Sequence, residues 1–236
     1  MDKGGFEAAK VTMWQTFSDP NLRTPALLAI ALMVSQQFIG INAVNSYSGQ
    51  LFGEEDTDKG LSSAQASEVI NLTRLIGISF GIMFLKCMGR KTLLLFSQSV
   101  ILVGLSIAWY LDTFEPESSL TIIGIEILIL GFQFGLGAIP WIYIAETCND
   151  KGMSVGAITN WTGNLIVVII TPYLYSAAGG YMWLIYSMFA LTSIIFFSIF
   201  LKETKGLSEE DVKKLYRVKH VEGDQSQNQN QELRGA

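Results

Sequence analysis

Apolar residues fall into six long runs, at about 25–50, 64–85, 92–111, 120–144, 155–177 and 180–201, with short polar stretches between them. Each run has about 20 residues or more, enough at about 1.5 Å per residue to cross a hydrocarbon core of about 30 Å. Backbone groups inside lipid must be satisfied within the protein, and a closed barrel would show strands of about 10 alternating residues instead. The pattern therefore predicts an all-α membrane protein with a six-helix transmembrane domain over 25–201. Residues 1–24 read as an amphipathic segment, with Asp19-Pro20 turning the chain into the first span. Residues 202–219 read as a second polar helix. Ser208 caps it, Glu209, Glu210 and Asp211 fill its first turn, and Lys213 and Lys214 follow as the helix dipole favours. The Gln- and Asn-rich stretch 220–236 is too polar to fold and is expected to be disordered.

Composition agrees. Half of the 236 residues are hydrophobic and only 16% are charged, against roughly 25% in a soluble domain. The net charge of −5 hides a sorting by side. With the N-terminus in the cytoplasm, Lys3, Lys10, Arg23, Lys86, Arg90, Lys91, Lys151 and the basic tail all lie inside. The outer loops then hold only Lys59 among many acids, as the positive-inside rule requires. Both termini are thus placed in the cytoplasm. Cys87 and Cys148 fall near the cytoplasmic ends of spans, where a disulfide is not expected.

One stretch breaks the apolar pattern: Gln36, Gln37, Asn42 and Asn45 stand inside the first run. Uncharged amides in a span are costly unless they face protein or a wet cavity, and they both donate and accept, as a hydroxyl-rich ligand requires. On an unbroken helix these four would spread over a broad arc, so a break at Gly40 is expected to gather them. Arg74 and Glu126 are the charged side chains placed well inside the apolar zone. No clustered acid–base pair, no nucleophile with a histidine, no metal-ligand spacing and no phosphate-binding glycine loop is visible. An enzyme, a cofactor, a bound metal and a nucleic-acid partner are therefore not expected.

Five motifs appear in one order. They are Gln36-Gln37-x-x-Gly40-x-Asn42, Gly89-Arg90-Lys91, Pro140-Trp141 followed by Glu146, Asn160-Trp161, and Glu203-Thr204-Lys205-Gly206. In this order they resemble the C-terminal half of sugar porters of the major facilitator superfamily, the group of facilitative glucose and insect-type trehalose transporters. The resemblance runs to about Leu215. It implies spans seven to twelve of a twelve-span fold, in which two six-helix halves enclose one site near the midplane.

The resemblance implies a substrate-binding set of Gln36, Gln37, Ile41, Asn42, Arg74, Phe132, Gln133, Trp141, Asn160, Trp161 and Asn164. Each has an alternative. The amides can bond neighbouring helices, Trp141 can anchor at the interface, and Arg74 can belong to a structural ion pair. Asn160, Trp161 and Asn164 are expected on one face of the fifth span. Gln133 stands where many relatives carry Glu, and Leu136 and Ala138 replace prolines common there. Asn45 and Tyr47 are the implied outer gate. Arg90, Lys91, Glu146 and Lys151 are the implied cytoplasmic gate, with the usual acid before the loop glycine replaced at Lys86-Cys87.

The expected function is transport of a neutral sugar, hexose or trehalose in class, by alternating access and facilitated diffusion. The expected partners are a small-molecule sugar, the lipid bilayer, and either a missing N-terminal six-helix half or a second copy. The expected location is multi-pass in the plasma membrane. The alternative is a truncated, non-transporting form that senses sugar or modulates a full carrier.

Overall fold

The computed structural model describes residues 11–44, 63–115 and 120–217. The implied outer gate, Asn45 and Tyr47, and the tail 220–236 lie outside these residues. The described chain is helical, and no strand occurs in it.

A short helix α1 (Met13–Ser18) opens the chain, closed at its start by a capping box between Thr12 and Gln15. The Asp19 side chain then accepts from Asn21 N–H, and Pro20 occupies the first turn of α2 (Pro20–Phe38). Proline costs nothing there, because its missing N–H would be unpaired in any helix. Next come α3 (Ser63–Cys87), α4 (Arg90–Phe114), α5 (Thr121–Gly131), a π-turn (Phe132–Leu136) and α6 (Ile139–Thr147). The chain closes with α7 (Asp150–Ala178), α8 (Tyr181–Phe200) and α9 (Glu209–Lys214). Among the described residues six stretches are long and apolar enough to cross a membrane, the first being Pro20–Val44 and the fourth Thr121–Thr147. The first span thus begins at its aspartate cap, earlier than the apolar run suggested.

Helix α4 is central and packs on both α5 and α8, while α2 packs on α7. The α4–α5 contact is backbone to backbone. A Cβ on Gly104 would lie 2.6 Å from Leu128 N, and one on Gly124 would lie 2.5 Å from Ala108 N. Lipid offers no hydrophobic drive for helix association, so close packing through small residues supplies it. Gln98, fully buried on α4, donates to Ser193 Oγ on α8 at 2.6 Å.

The first span breaks where the sequence predicted. Helix α2 stops at Phe38, Gly40 takes φ 83°, and helix resumes over 41–44. A side chain at Gly40 would be strained by that φ and would also meet the Tyr186 ring at 2.7 Å.

Candidate sugar site and charged end cluster

The fourth span is interrupted as well, and the repair of that interruption builds the site. The π-turn pairs Gly137 N–H with Phe132 O, one residue further than an α-helix would. Leu136 N–H is thereby released, and it donates to Ser97 Oγ on α4 at 2.8 Å. The same hydroxyl donates to Gly131 O at 2.7 Å. Four residues on, Pro140 has no N–H, so Leu136 O loses its helical donor. Gln36 Nε2 takes that place, donating to Leu136 O at 2.8 Å and to Gly137 O at 3.0 Å. Two side chains from two other helices therefore satisfy the backbone that the break exposes.

The other end of the Gln36 amide is engaged too. Its Oε1 accepts from Asn160 Nδ2 of α7 at 2.5 Å, and Asn160 also reaches Met33 Sδ at 3.3 Å. Gln36, Gln37 and Asn160 are each about 95% shielded, at 4%, 4% and 5% exposure. Gln37 Oε1 accepts from Asn42 Nδ2 across the helix break. Gly163 leaves room for Gln37, since a Cβ there would lie 3.3 Å from its side-chain carbons. The break at Gly40 thus brings Gln37 and Asn42 together, and this amide cluster of two pairs ties α2 to α7 through Asn160 and to the π-turn of the fourth span through Gln36.

The remaining implied binding residues divide. Trp141 is 38% exposed and Trp161 67% exposed, on helices whose outer faces are left uncovered. Gln133 and Phe132 are half-buried, with Gln133 Cβ against Gly77 of α3. Asn164 is half-buried. Ile41 is buried in the hydrophobic core. Asn160 and Trp161 do not share a face: successive helical residues point about 100° apart, so one turns to α2 and the other away. Arg74 is half-buried, and its Nη1 donates to Asn71 Oδ1 at 3.2 Å.

At the bundle end that carries α1 and α9, charges replace amides. Arg90 donates twice to Glu146 Oε1, from Nε at 3.2 Å and Nη2 at 3.1 Å. Thr204 Oγ1 donates to Glu146 Oε2 at 2.6 Å. Lys91 Nζ turns elsewhere, to Ser198 O at 2.8 Å, and Lys151 is exposed outside this cluster. The residue that organises the end is one the sequence reading left out of the gate. Glu203 accepts from the backbone N–H groups of Arg90 at 2.6 Å, Lys91 at 3.2 Å and Thr92 at 3.5 Å, the unpaired first turn of α4. It also accepts from Thr204 and Lys205 N–H. Burial alone would push the Glu203 carboxyl up, but these backbone donors outweigh it and hold it below the usual carboxylate range. Gly89 leaves the carboxylate room to sit there, since a Cβ would lie 2.1 Å from a Glu203 oxygen and displace it. The signal was present in the sequence as Glu203-Thr204-Lys205-Gly206. Its partner was not, because backbone N–H groups carry no residue signature.

The strap 201–216 folds back against α6. Tyr143 Oη and Tyr216 Oη lie 2.6 Å apart, and Tyr143 donates to Lys202 O at 2.9 Å. Burial raises the Tyr216 hydroxyl above its ordinary range. Cys148 is also shielded, its thiol pushed up to about 11 by burial, and it stays a thiol donating to Pro25 O at 3.4 Å.

Residues 2–216 match the family described as "Sugar (and other) transporter". The chain belongs to that family. It is 30% identical over 215 residues to facilitated glucose transporter member 3 of Rattus norvegicus, covering 88% of this chain and 43% of that protein. Facilitated glucose transporter member 1 of Gallus gallus is 30% identical over 217 residues, covering 88% and 44%. Hexose transporter 1 of Toxoplasma gondii is 29% identical, covering 86% and 37%. The chain therefore spans less than half the length of these relatives. The fold is similar to that of the inward-open xylose transporter from E. coli, with a TM-score of 0.72 at 18% identity over 82% of this chain and 42% of that one. The expected sugar-porter class of the major facilitator superfamily is thus shown, and with it a multi-pass membrane protein of a carrier family rather than an enzyme.

Proposed function

We infer that this chain forms one six-helix half of a sugar carrier that moves a neutral hexose or trehalose-class sugar by alternating access and facilitated diffusion. The observation that carries this reading is the amide cluster itself. Gln36, Gln37, Asn42 and Asn160 are gathered where the first span breaks at Gly40 and where Gln36 meets the interrupted fourth span, and Trp141 on that fourth span leaves its indole 38% exposed. Indole offers an apolar face for a sugar ring with one donor; Gln36 is committed to holding the fourth span, and Gln37, Asn42 and Asn160 are the amides that offer a donor and an acceptor to a hydroxyl. Discontinuous helices at a shared level are how carriers present backbone and side-chain polar groups to a substrate. The uncovered apolar faces of α3 and α7 are where a second six-helix body packs, either an N-terminal half or a second copy. The end holding Arg90, Glu146 and Glu203 is assigned to the cytoplasm, with both termini, in the plasma membrane. Asn45 and Tyr47 are assigned to the outer gate and Arg90, Lys91 and Glu146 to the inner one, while Lys151 contributes surface charge.

The test is uptake of labelled hexoses and trehalose by transporter-deficient cells expressing the chain alone or with an N-terminal half from a relative. Saturable uptake, lost in Gln37→Ala and Trp141→Ala with surface insertion intact, is expected in at least one pairing. No uptake in either pairing, despite insertion, would sink the reading.

A further inference from the structure

Two turns along the fourth span from Gln133, on the same face by the seven-residue spacing, stands Glu126. The rise between them is about 10 Å. Helices α3 and α5 run in the same direction here. Gly77 of α3 lies against Gln133 Cβ, and Gly81 lies against the Gln133 carbonyl. Above those glycines the two helices present polar groups to each other. Thr73 and Arg74 face Glu126. Helix α4, the other element packed on α5, meets it through Gly104 and Ala108 and presents no titratable group there. The nearest acid on α4, Asp112, is taken by Trp183 Nε1 at 2.9 Å. Arg74 is therefore the charge that acts on Glu126.

Both Glu126 carboxyl oxygens are shut away from the surface, and neither accepts a well-formed hydrogen bond among the described residues. The Thr73 hydroxyl and the Arg74 charge both act on the carboxyl, and Arg74 Nη1 is also engaged by Asn71. An acceptor left in this condition inside a span is costly, and a donor arriving with a ligand relieves the cost. A carboxylate and a guanidinium within electrostatic reach of each other accept from and donate to hydroxyls through charge-assisted bonds.

We propose that Glu126 and Arg74 form an outer contact pair for the sugar, gripping adjacent hydroxyls at the end of the substrate that points away from Gln36 and Asn160. The pair rests on the sugar-carrier reading and extends its binding surface along the fourth span. Arg74 swings from Asn71 toward the ligand, and the sugar hydroxyl supplies the donor that Glu126 lacks. The pair then selects for hydroxyl pattern.

The test is competition binding on the assembled carrier used for uptake, with D-glucose and its singly deoxygenated and singly fluorinated analogues. Wild type should show a penalty of about tenfold at one or two adjacent positions, since each analogue there loses a donor to a charged acceptor. In Glu126→Ala, affinity for D-glucose should fall about tenfold and the penalty at those positions should vanish, while penalties elsewhere persist. Glu126→Gln, which keeps one acceptor oxygen and the side-chain volume, should restore part of both. Uniform loss across the panel in both variants would make Glu126 structural and overturn the proposal. An unchanged analogue pattern with a lost pH dependence of binding would make it a proton site, and also overturn it. Failure of wild type to bind any sugar of the panel would bring down the sugar reading itself.

Discussion

The amide cluster and the charged end cluster solve the same problem in different solvents. Both complete hydrogen bonds that a helix terminus or break leaves open. At Leu136 the donor is a neutral amide, 4% exposed, and every atom of it that can pair is paired. At the first turn of α4 the acceptor is the Glu203 carboxylate, and the adjoining Arg90–Glu146 pair is about a quarter exposed, at 24% and 28%. Deep in the bundle a charge would cost several kcal/mol to desolvate, so neutral groups do the work. At the rim, water shares the load, and a charged pair there is worth about 0–1 kcal/mol, small enough to open and close. The deep cluster therefore holds the fold, and the rim cluster suits a gate.

Replacing Gln36 by Leu should break that contrast most severely. It leaves Leu136 O and Gly137 O without their partner, at about 1–3 kcal/mol for each buried group, and Asn160 Nδ2 with only the weak acceptor Met33 Sδ. A large drop in detergent melting temperature is expected, with loss of uptake. Melting near the wild-type value would mean that the amide cluster is not structural.

Gly89→Ala comes next. Its Cβ would drive Glu203 off the first turn of α4, at a cost of about 1–3 kcal/mol. Cysteine accessibility or proteolysis should then show the strap 201–216 loosened. Unchanged protection of the strap would separate Glu203 from strap docking.

A third variant, Glu203→Gln, probes charge alone. Interaction with the helix N-terminus is worth about 0.3–1 kcal/mol. Because the folded carboxyl is held below its usual range, its contribution is present above that range and disappears as pH falls through the depressed value. Wild type should therefore lose melting temperature on acidification more steeply than Glu203→Gln. Parallel curves would show that another group carries the acid response.

The smallest expected stability effect is that of Arg90→Gln, within about 1 kcal/mol. Its uptake phenotype should exceed its stability phenotype, and high salt should shift wild type toward the variant. A variant as unstable as Gln36→Leu would erase the distinction between the two clusters.

Much of this was legible in the chain. Six apolar runs require six spans, Asp19-Pro20 and Ser208 announce helix starts, and Gly40 marks the break in the first span. The polar positions in that span were also plain. Their duties were not. Gln36 reads as a sugar ligand from its neighbours in sequence, yet its amide is committed to Leu136, Gly137 and Asn160, about 100 and 124 residues away. Trp161 and Asn160 read as one motif, yet adjacent helical positions diverge, and one is exposed while the other is buried.

The sequence by itself determined that the chain holds six runs long and apolar enough to cross a membrane, where its helices start, and which polar residues had to find partners. Those follow from local rules: apolar length, cap chemistry, a glycine with no Cβ, a proline with no N–H. The tertiary structure decided which partner each polar residue took. Pro140 frees a carbonyl wherever it stands, but only the packing of α2 against α6 and α7 brings Gln36 to it. Glu203 could have met any cation at the rim. The fold lays it on the bare N–H groups of α4, and backbone groups, identical in every residue, leave no mark in sequence to read.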